Sequence, residues 1–161
     1  MKTRNALKAI VGTATLALAV LRVIAFPTAV RAGTDVDLRA GFYTDADAFA
    51  LGAGLLTPMG THAGWYFNPN IELAMPDAGS TLTLSGDVHY DFPTTGTVSP
   101  YLGAGPTLIR FSPDLGDANT DLGLNLFAGV SGLRGEVRPF VQLKGMFSSG
   151  SEVALMGGIR F

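Results

Sequence analysis

From residue 34 to the end of the chain, apolar and polar side chains alternate with a period of two, which is the period of a β-strand whose faces meet different surroundings. Eight runs of roughly ten residues are bounded by clusters of Gly, Pro, Asp, Asn or Ser. The clearest, "EVRPFVQLKGMF" at 136–147, sets Val137, Pro139, Val141, Leu143 and Phe147 against Glu136, Arg138, Gln142 and Lys144. "TLTLSGDVHYDF" at 81–92 opposes Leu82, Leu84, Val88, Tyr90 and Phe92 to Thr83, Ser85, Asp87, His89 and Asp91. "WYFNPNIELAM" at 65–75 places Phe67, Ile71, Leu73 and Met75 opposite Asn68, Asn70 and Glu72. The remaining five runs fall at 35–43, 49–57, 100–111, 121–131 and 152–161.

Alternation alone leaves two arrangements: apolar side chains inside a soluble barrel or sandwich, or apolar side chains turned outward to lipid around a polar lumen. Three features favour the second. Aromatic residues concentrate at strand ends, where a bilayer places its interfacial girdles: Phe42, Phe49, Trp65, Phe67, Tyr90, Phe92, Tyr101, Phe111, Phe147 and Phe161 are assigned to them, with Phe127 alone in mid-strand. The polar face carries both signs of charge inside strands, and such groups can pair across a narrow lumen. The lumen set is Arg39, Glu72, Asp87, His89, Glu136, Arg138, Gln142, Lys144 and Arg160. Finally, strands of nine to eleven residues suit a tilted membrane crossing better than the ~5–6 typical of globular proteins. The expected fold is all-β, an eight-stranded antiparallel up-and-down transmembrane barrel over 33–161.

Composition adds the first 32 residues to this picture. "MKTRNALK" is basic, "AIVGTATLALAVL" is an apolar run too short to span a membrane as a helix, and "VRA" offers a small-residue cleavage site. Residues 1–32 are therefore expected to be a cleaved signal peptide. Five of the 11 basic residues lie in it and none of the 13 acidic ones does, so the mature chain would carry a net charge of −7. That balance disfavours nucleic acid, whose binding relies on neutralising phosphates. Mean hydropathy is +0.32, high for a chain with no long apolar helix. There is no cysteine, hence no disulfide, thiolate metal site or lipidated N-terminal cysteine.

With both termini on the periplasmic side, the outward turns would be "TDADA", "PDAGS", "SPDLGDANT" and "SSGS", and the inward ones "PMGTHAG", "PTTGTVSP" and "GLRG". The outward set holds Asp45, Asp47, Asp77, Asp114 and Asp117 with no Lys or Arg, a composition expected of solubilising Asx-turns. Arg110 breaks the face rule. It lands on the lipid-facing parity, and either snorkels to headgroups or marks a bulge near Pro106.

These features together resemble the small bacterial outer-membrane β-barrel proteins of the OmpA/OmpX/opacity type. The likeness rests on the signal peptide, the eight alternating strands, "PYLGAG" opening the fifth strand, and the terminal "ALMGGIRF". It implies that the last strand is read by the barrel-assembly machinery, through Phe161, Ile159 and Leu155, with Gly157 departing from the usual apolar residue. It also implies outer-membrane lipid and lipopolysaccharide as surroundings, a monomer, and no cofactor. The chain is short for the group and carries no peptidoglycan-binding domain.

Some barrels of this kind modify lipid A, which makes the polar residues candidates for chemistry. Ser85, Asp87 and His89 share one face of one strand, but neighbours two apart lie about 6.5–7 Å from one another, too far for a nucleophile to bond its base. They are expected to form a buried polar network. His62 lies in a turn, and two histidines so far apart give no metal-site spacing. "GAG" at 52–54 and 103–105 precedes no helix and so makes no phosphate loop. Gly52, Gly54, Gly103, Gly105 and Gly158 instead fall on the lumen parity, leaving room for long side chains or for a water path. The expected role is a non-catalytic envelope protein with a plugged lumen. A small pore, a lipid A-modifying enzyme and a soluble exported lipocalin-like barrel are the alternatives.

Overall fold

The computed structural model describes residues 33–60 and 63–161. The expected signal peptide and His62 lie outside the described residues. Eight strands follow in order: β1 (Asp35–Tyr43), β2 (Ala48–Pro58), β3 (Trp65–Met75), β4 (Gly79–Asp91), β5 (Val98–Pro113), β6 (Asn119–Gly132), β7 (Arg138–Phe147) and β8 (Ser151–Arg160). Each pairs antiparallel with its sequence neighbours, and β8 returns to β1, closing the barrel. Closure removes every sheet edge within the wall, the condition for a sheet to lie in hydrocarbon.

Following the ladders once around, from Val36 through Leu55, Pro69, Gly86, Pro106, Leu124, Phe147 and Ser151, returns to Ala46, ten residues further along the chain. A shear of that size over eight strands goes with a strand tilt of ~35–45°. The interior is then just wide enough for side chains to fill.

Side chains divide by parity as the alternation requires. Leu51, Leu102, Leu143, Leu155 and most other large apolar residues are exposed on the outside, while Asp37, Arg39, Glu72, Asp87 and Lys144 are buried within. An outward apolar band around a buried charged interior is the inverse of a soluble protein. Outward aromatics gather at two levels. Trp65, Phe67, Tyr90, Phe92 and Phe161 lie toward the end that holds the termini, and Phe42, Phe49 and Phe147 toward the far end. Trp65, Tyr90 and Phe92 stack at successive centroid spacings of 5.2 Å.

Several expectations are corrected. Tyr101 does not belong to a girdle: it points into the lumen and is 2% exposed. Its parity is that of Gly103 and Gly105, which the sequence already put inside. Phe111 shares the face of the lumen-lining Thr107, not of the outward Leu108, and sits where β5 rises beyond the mouth. Glu136 is an exposed turn residue, because β7 begins only at Arg138. No bulge occurs near Pro106. Ser85 opposite Thr107 and Val88 opposite Ala104 keep one register on either side of it, so Arg110 faces outward. Of the outer segment "SPDLGDANT", 112–113 belong to β5 and 119–120 to β6, so the turn between them is only 114–118.

Candidate functional site

The lumen is the one place where this chain concentrates polar chemistry. Among the described residues it buries three acids, Asp37, Glu72 and Asp87, and three bases, Arg39, Lys144 and Arg160. Arg39 on β1 is held by a fork. Its Nε donates to Asp37 Oδ1 at 2.8 Å and its Nη2 to Asp37 Oδ2 at 2.5 Å. The same guanidinium donates to Asn68 Oδ1 at 2.9 Å and to Glu72 Oε1 at 3.2 Å on β3. Glu72 Oε2 accepts from Tyr43 Oη at 2.6 Å and from Lys144 Nζ, which arrives from β7 on the opposite wall. A buried carboxylate with two cationic partners and a hydroxyl donor has its charge compensated and its lone pairs used, the condition under which a buried ion pair is tolerated.

The network extends along the axis. Asn70 Nδ2 donates to Asp87 Oδ2 at 2.8 Å, and Asn125 Nδ2 to Asp87 Oδ1 at 3.2 Å and Ser85 Oγ at 2.9 Å. Ser85 Oγ also shares a hydrogen bond of 3.0 Å with Thr107 Oγ1. Toward the termini the lumen turns aromatic. Arg160 lies over the rings of Phe140 and Tyr101, at 4.6 and 4.9 Å, and Tyr101 Oη donates to Gln142 Oε1 at 3.1 Å. His89 stacks against Tyr101 and Tyr66 at 5.2 and 5.4 Å. At that mouth Arg138 pairs with Asp35. Toward the far end, Ala48, Ala50, Ala74, Met146, Ala154 and Met156 pack around Tyr43 into an apolar layer.

Glycines make room for this filling. A Cβ on Gly52 would stand 2.7 Å from Glu72 Cγ and 3.1 Å from Arg39 Cγ. On Gly54 it would meet Asn68 and Asp37, and on Gly103 the ring of Phe127. Cavities of about 290 and 240 Å³ open at the termini end and the far end, and no residue lines both.

Ser85, Asp87 and His89 do not form a triad: Ser85 and Asp87 join the network through Asn125, whereas His89, expected in it, has no hydrogen-bond partner for its Nε2 among the described residues. The Ser85 hydroxyl is engaged by Asn125 and Thr107. The His89 ring faces Tyr66, Tyr101 and Phe127. His89 Nε2 stands 3.3 Å from Asp91 Oδ1, without the alignment of a hydrogen bond. All three side chains are buried, away from the lipid-facing surface. Among the described residues no cluster of three or more His, Asp or Glu could hold a metal ion. Asp37, Asn125, Thr107, Tyr43 and Tyr101 belong to the network although the sequence set omits them. Parity with Arg39 for Asp37 and Tyr43, with Gly103 for Tyr101 and Thr107, and alternation with Leu124 and Leu126 for Asn125 is the available signal.

No protein-family model and no curated protein sequence matches the chain. Solved structures do. The crystal structure of Neisserial surface protein A, NspA, superposes with a TM-score of 0.64 at 20% identity, over 79% of this chain and 92% of that one. The fold is that of the small outer-membrane β-barrels. The N-terminal barrel domain of Pseudomonas aeruginosa OprF shares it at a TM-score of 0.62 and 18% identity, over 80% of this chain and 96% of that one. The outer membrane enzyme PagL shares it at 0.53 and 16%, over 79% and 98%. This outer-membrane barrel fold thus hosts an enzyme as well as NspA and OprF, and fold does not choose among functions.

Proposed function

We propose that the protein is a monomeric, non-catalytic barrel of a bacterial outer membrane, exported by residues 1–32 and inserted by the barrel-assembly machinery through Leu155, Ile159 and Phe161. Its lumen is plugged, and its role is to contribute to envelope structure. The observation that carries this reading is the Arg39–Asp37–Glu72–Lys144 network, buried and mutually paired inside a wall whose outer face is apolar. The lumen is occupied by paired charges, and the Ser85 hydroxyl and the His89 ring are buried within it, away from the lipid-facing surface.

Gel mobility of unheated against boiled protein from fractionated membranes tests the membrane assignment; periplasmic recovery without a heat-dependent shift would sink it. Planar-bilayer recording tests the plug. Baseline current is the expected result, and steady open steps would transfer the protein to the pore reading. Lipid A mass spectra with and without the protein are expected to be identical, and a shifted species lost in Ser85→Ala or His89→Ala would establish the enzyme reading instead.

A further inference from the structure

Arg110 is a cation that the lumen does not absorb. It stands exposed on the outer face of β5, between Leu82 of β4 and Thr120 of β6 in the ladders. It takes part in none of the ion pairs among the described residues. The other described cations lie elsewhere. Arg39, Lys144 and Arg160 are in the lumen, Arg138 is paired with Asp35, and Arg134 is in the turn between β6 and β7.

The rows of side chains around Arg110 form an amphiphilic gradient. One row toward the middle of the barrel, about 7 Å away, the outward positions are Leu84, Leu108 and Leu122; one row toward the tip they are Ser80 and Ser112. The surface is also stepped. The β6–β7 ladder ends at Leu124 and Phe147, so β6 from Asn119 to Gly123 rises with no strand on that side. Leu122 is consequently 75% exposed where Leu124, flanked by β7, is 48%.

We propose that this ledge seats a phosphorylated glycolipid of the outer leaflet, of the lipid A class. A phosphate would lie on the Arg110 guanidinium beside the hydroxyls of Ser80, Ser112 and Thr120, and an acyl chain along Leu84, Leu108 and Leu122. Arginine suits this place because its stem lies on apolar surface while its planar fork takes two phosphate oxygens. The nearest carboxylate on β6, Asp121, is on the opposite face, where Ser149 and Asn119 engage it. The far-rim carboxylates Asp45, Asp47, Asp77, Asp114 and Asp117 lie in the turns, beyond the ends of the strands that carry Arg110 and its hydroxyl neighbours. The inference rests on the reading above that the barrel crosses the outer membrane with its termini on the periplasmic side.

Native mass spectrometry in mild detergent tests it, on protein first verified as a folded barrel by its heat-dependent gel shift. Titration with deep-rough lipopolysaccharide is expected to give a single saturable adduct. R110Q is expected to weaken it by roughly 10-fold or more, and R110K to fall between, since an ammonium contacts phosphate as a point charge. The same lipid stripped of its phosphates is expected to bind wild type and R110Q alike. Equal affinity of wild type and R110Q for the phosphorylated lipid overturns the proposal. An R110Q loss that persists with the dephosphorylated lipid also overturns it, because the effect would then come from the shape of the ledge. Absence of the heat-dependent shift would instead strike the membrane reading itself.

Discussion

Glu72 on β3 accepts the ammonium of Lys144 on β7 from the opposite wall of the barrel, 72 residues away in sequence. β3 and β7 stand four strands apart in a ring of eight, so this pair crosses the full lumen. It forms only after the barrel has closed.

Removing one partner of that pair leaves an uncompensated buried charge. Glu72→Leu leaves Lys144 without its carboxylate partner, whereas Arg39 keeps Asp37 and Asn68; the variant is expected to lower stability by about 3–5 kcal/mol. Lys144→Met should cost less, because Glu72 keeps Arg39 and Tyr43. The double variant Glu72→Leu/Lys144→Met is expected to recover part of the loss. Urea unfolding in lipid vesicles, read through Trp65, the only tryptophan, gives the cycle.

Glycine on the two faces should behave oppositely. A Cβ on Gly105 would stand 2.4 Å from the Gly86 carbonyl oxygen and 2.6 Å from Asp87 Cα, whereas on Gly157 the nearest atom is Phe140 O at 3.7 Å. Gly105→Ala is expected to cost about 1–3 kcal/mol through overpacking, and Gly157→Ala to stay within about 0.5 kcal/mol. The same unfolding series reads both.

The closing seam has a clamp at its far end. Glu152 of β8 accepts the backbone N–H groups of Asp45 and Ala46, at 2.8 and 2.9 Å, holding the turn that follows β1. Glu152→Ala is expected to speed amide exchange at Asp45 and Ala46 and to lower stability by about 1 kcal/mol. Glu152→Gln should retain part of the protection. Unchanged exchange at both amides would show that the clamp contributes nothing.

Arg160 is held by rings more than by acids. Its guanidinium packs on Phe140 and Tyr101, and its Nε has no hydrogen-bond partner among the described residues. Arg160→Lys keeps the charge but loses the planar stacking, and is expected to cost about 1–2 kcal/mol. Phe140→Leu combined with Arg160→Lys should be less than additive if the ring contact is the source. Unfolding midpoints of the three variants settle the coupling.

The eight strands, their outward faces and the glycines that admit long side chains were legible because a period of two is a local property. Any residue's neighbours at two positions' distance reveal its face. What parity does not reveal is where a ladder stops. Glu136 alternates correctly with Arg138, yet the β6–β7 ladder leaves it in a turn. Phe111 lies at a strand end, as a girdle residue would, but it shares the lumen-facing parity of Thr107, and it is paired there with Thr81 of β4 and Asn119 of β6. Tyr101 is a different case: it lies near a strand end, but the face it shares with Gly103 turns it into the lumen.

By itself, then, the alternation determined a barrel-forming set of strands and which side chains turn inward, since backbone pleat dictates both. Only the tertiary structure decided which inward residues meet. Asp37, Arg39, Asn68, Glu72 and Lys144 lie on three strands, and their contacts depend on the register displacement of ten residues around the closed ring. A one-residue slip in any ladder would turn a strand inside out and dissolve the network. The same register, carried without a bulge past Pro106, is what turns Arg110 to the outside.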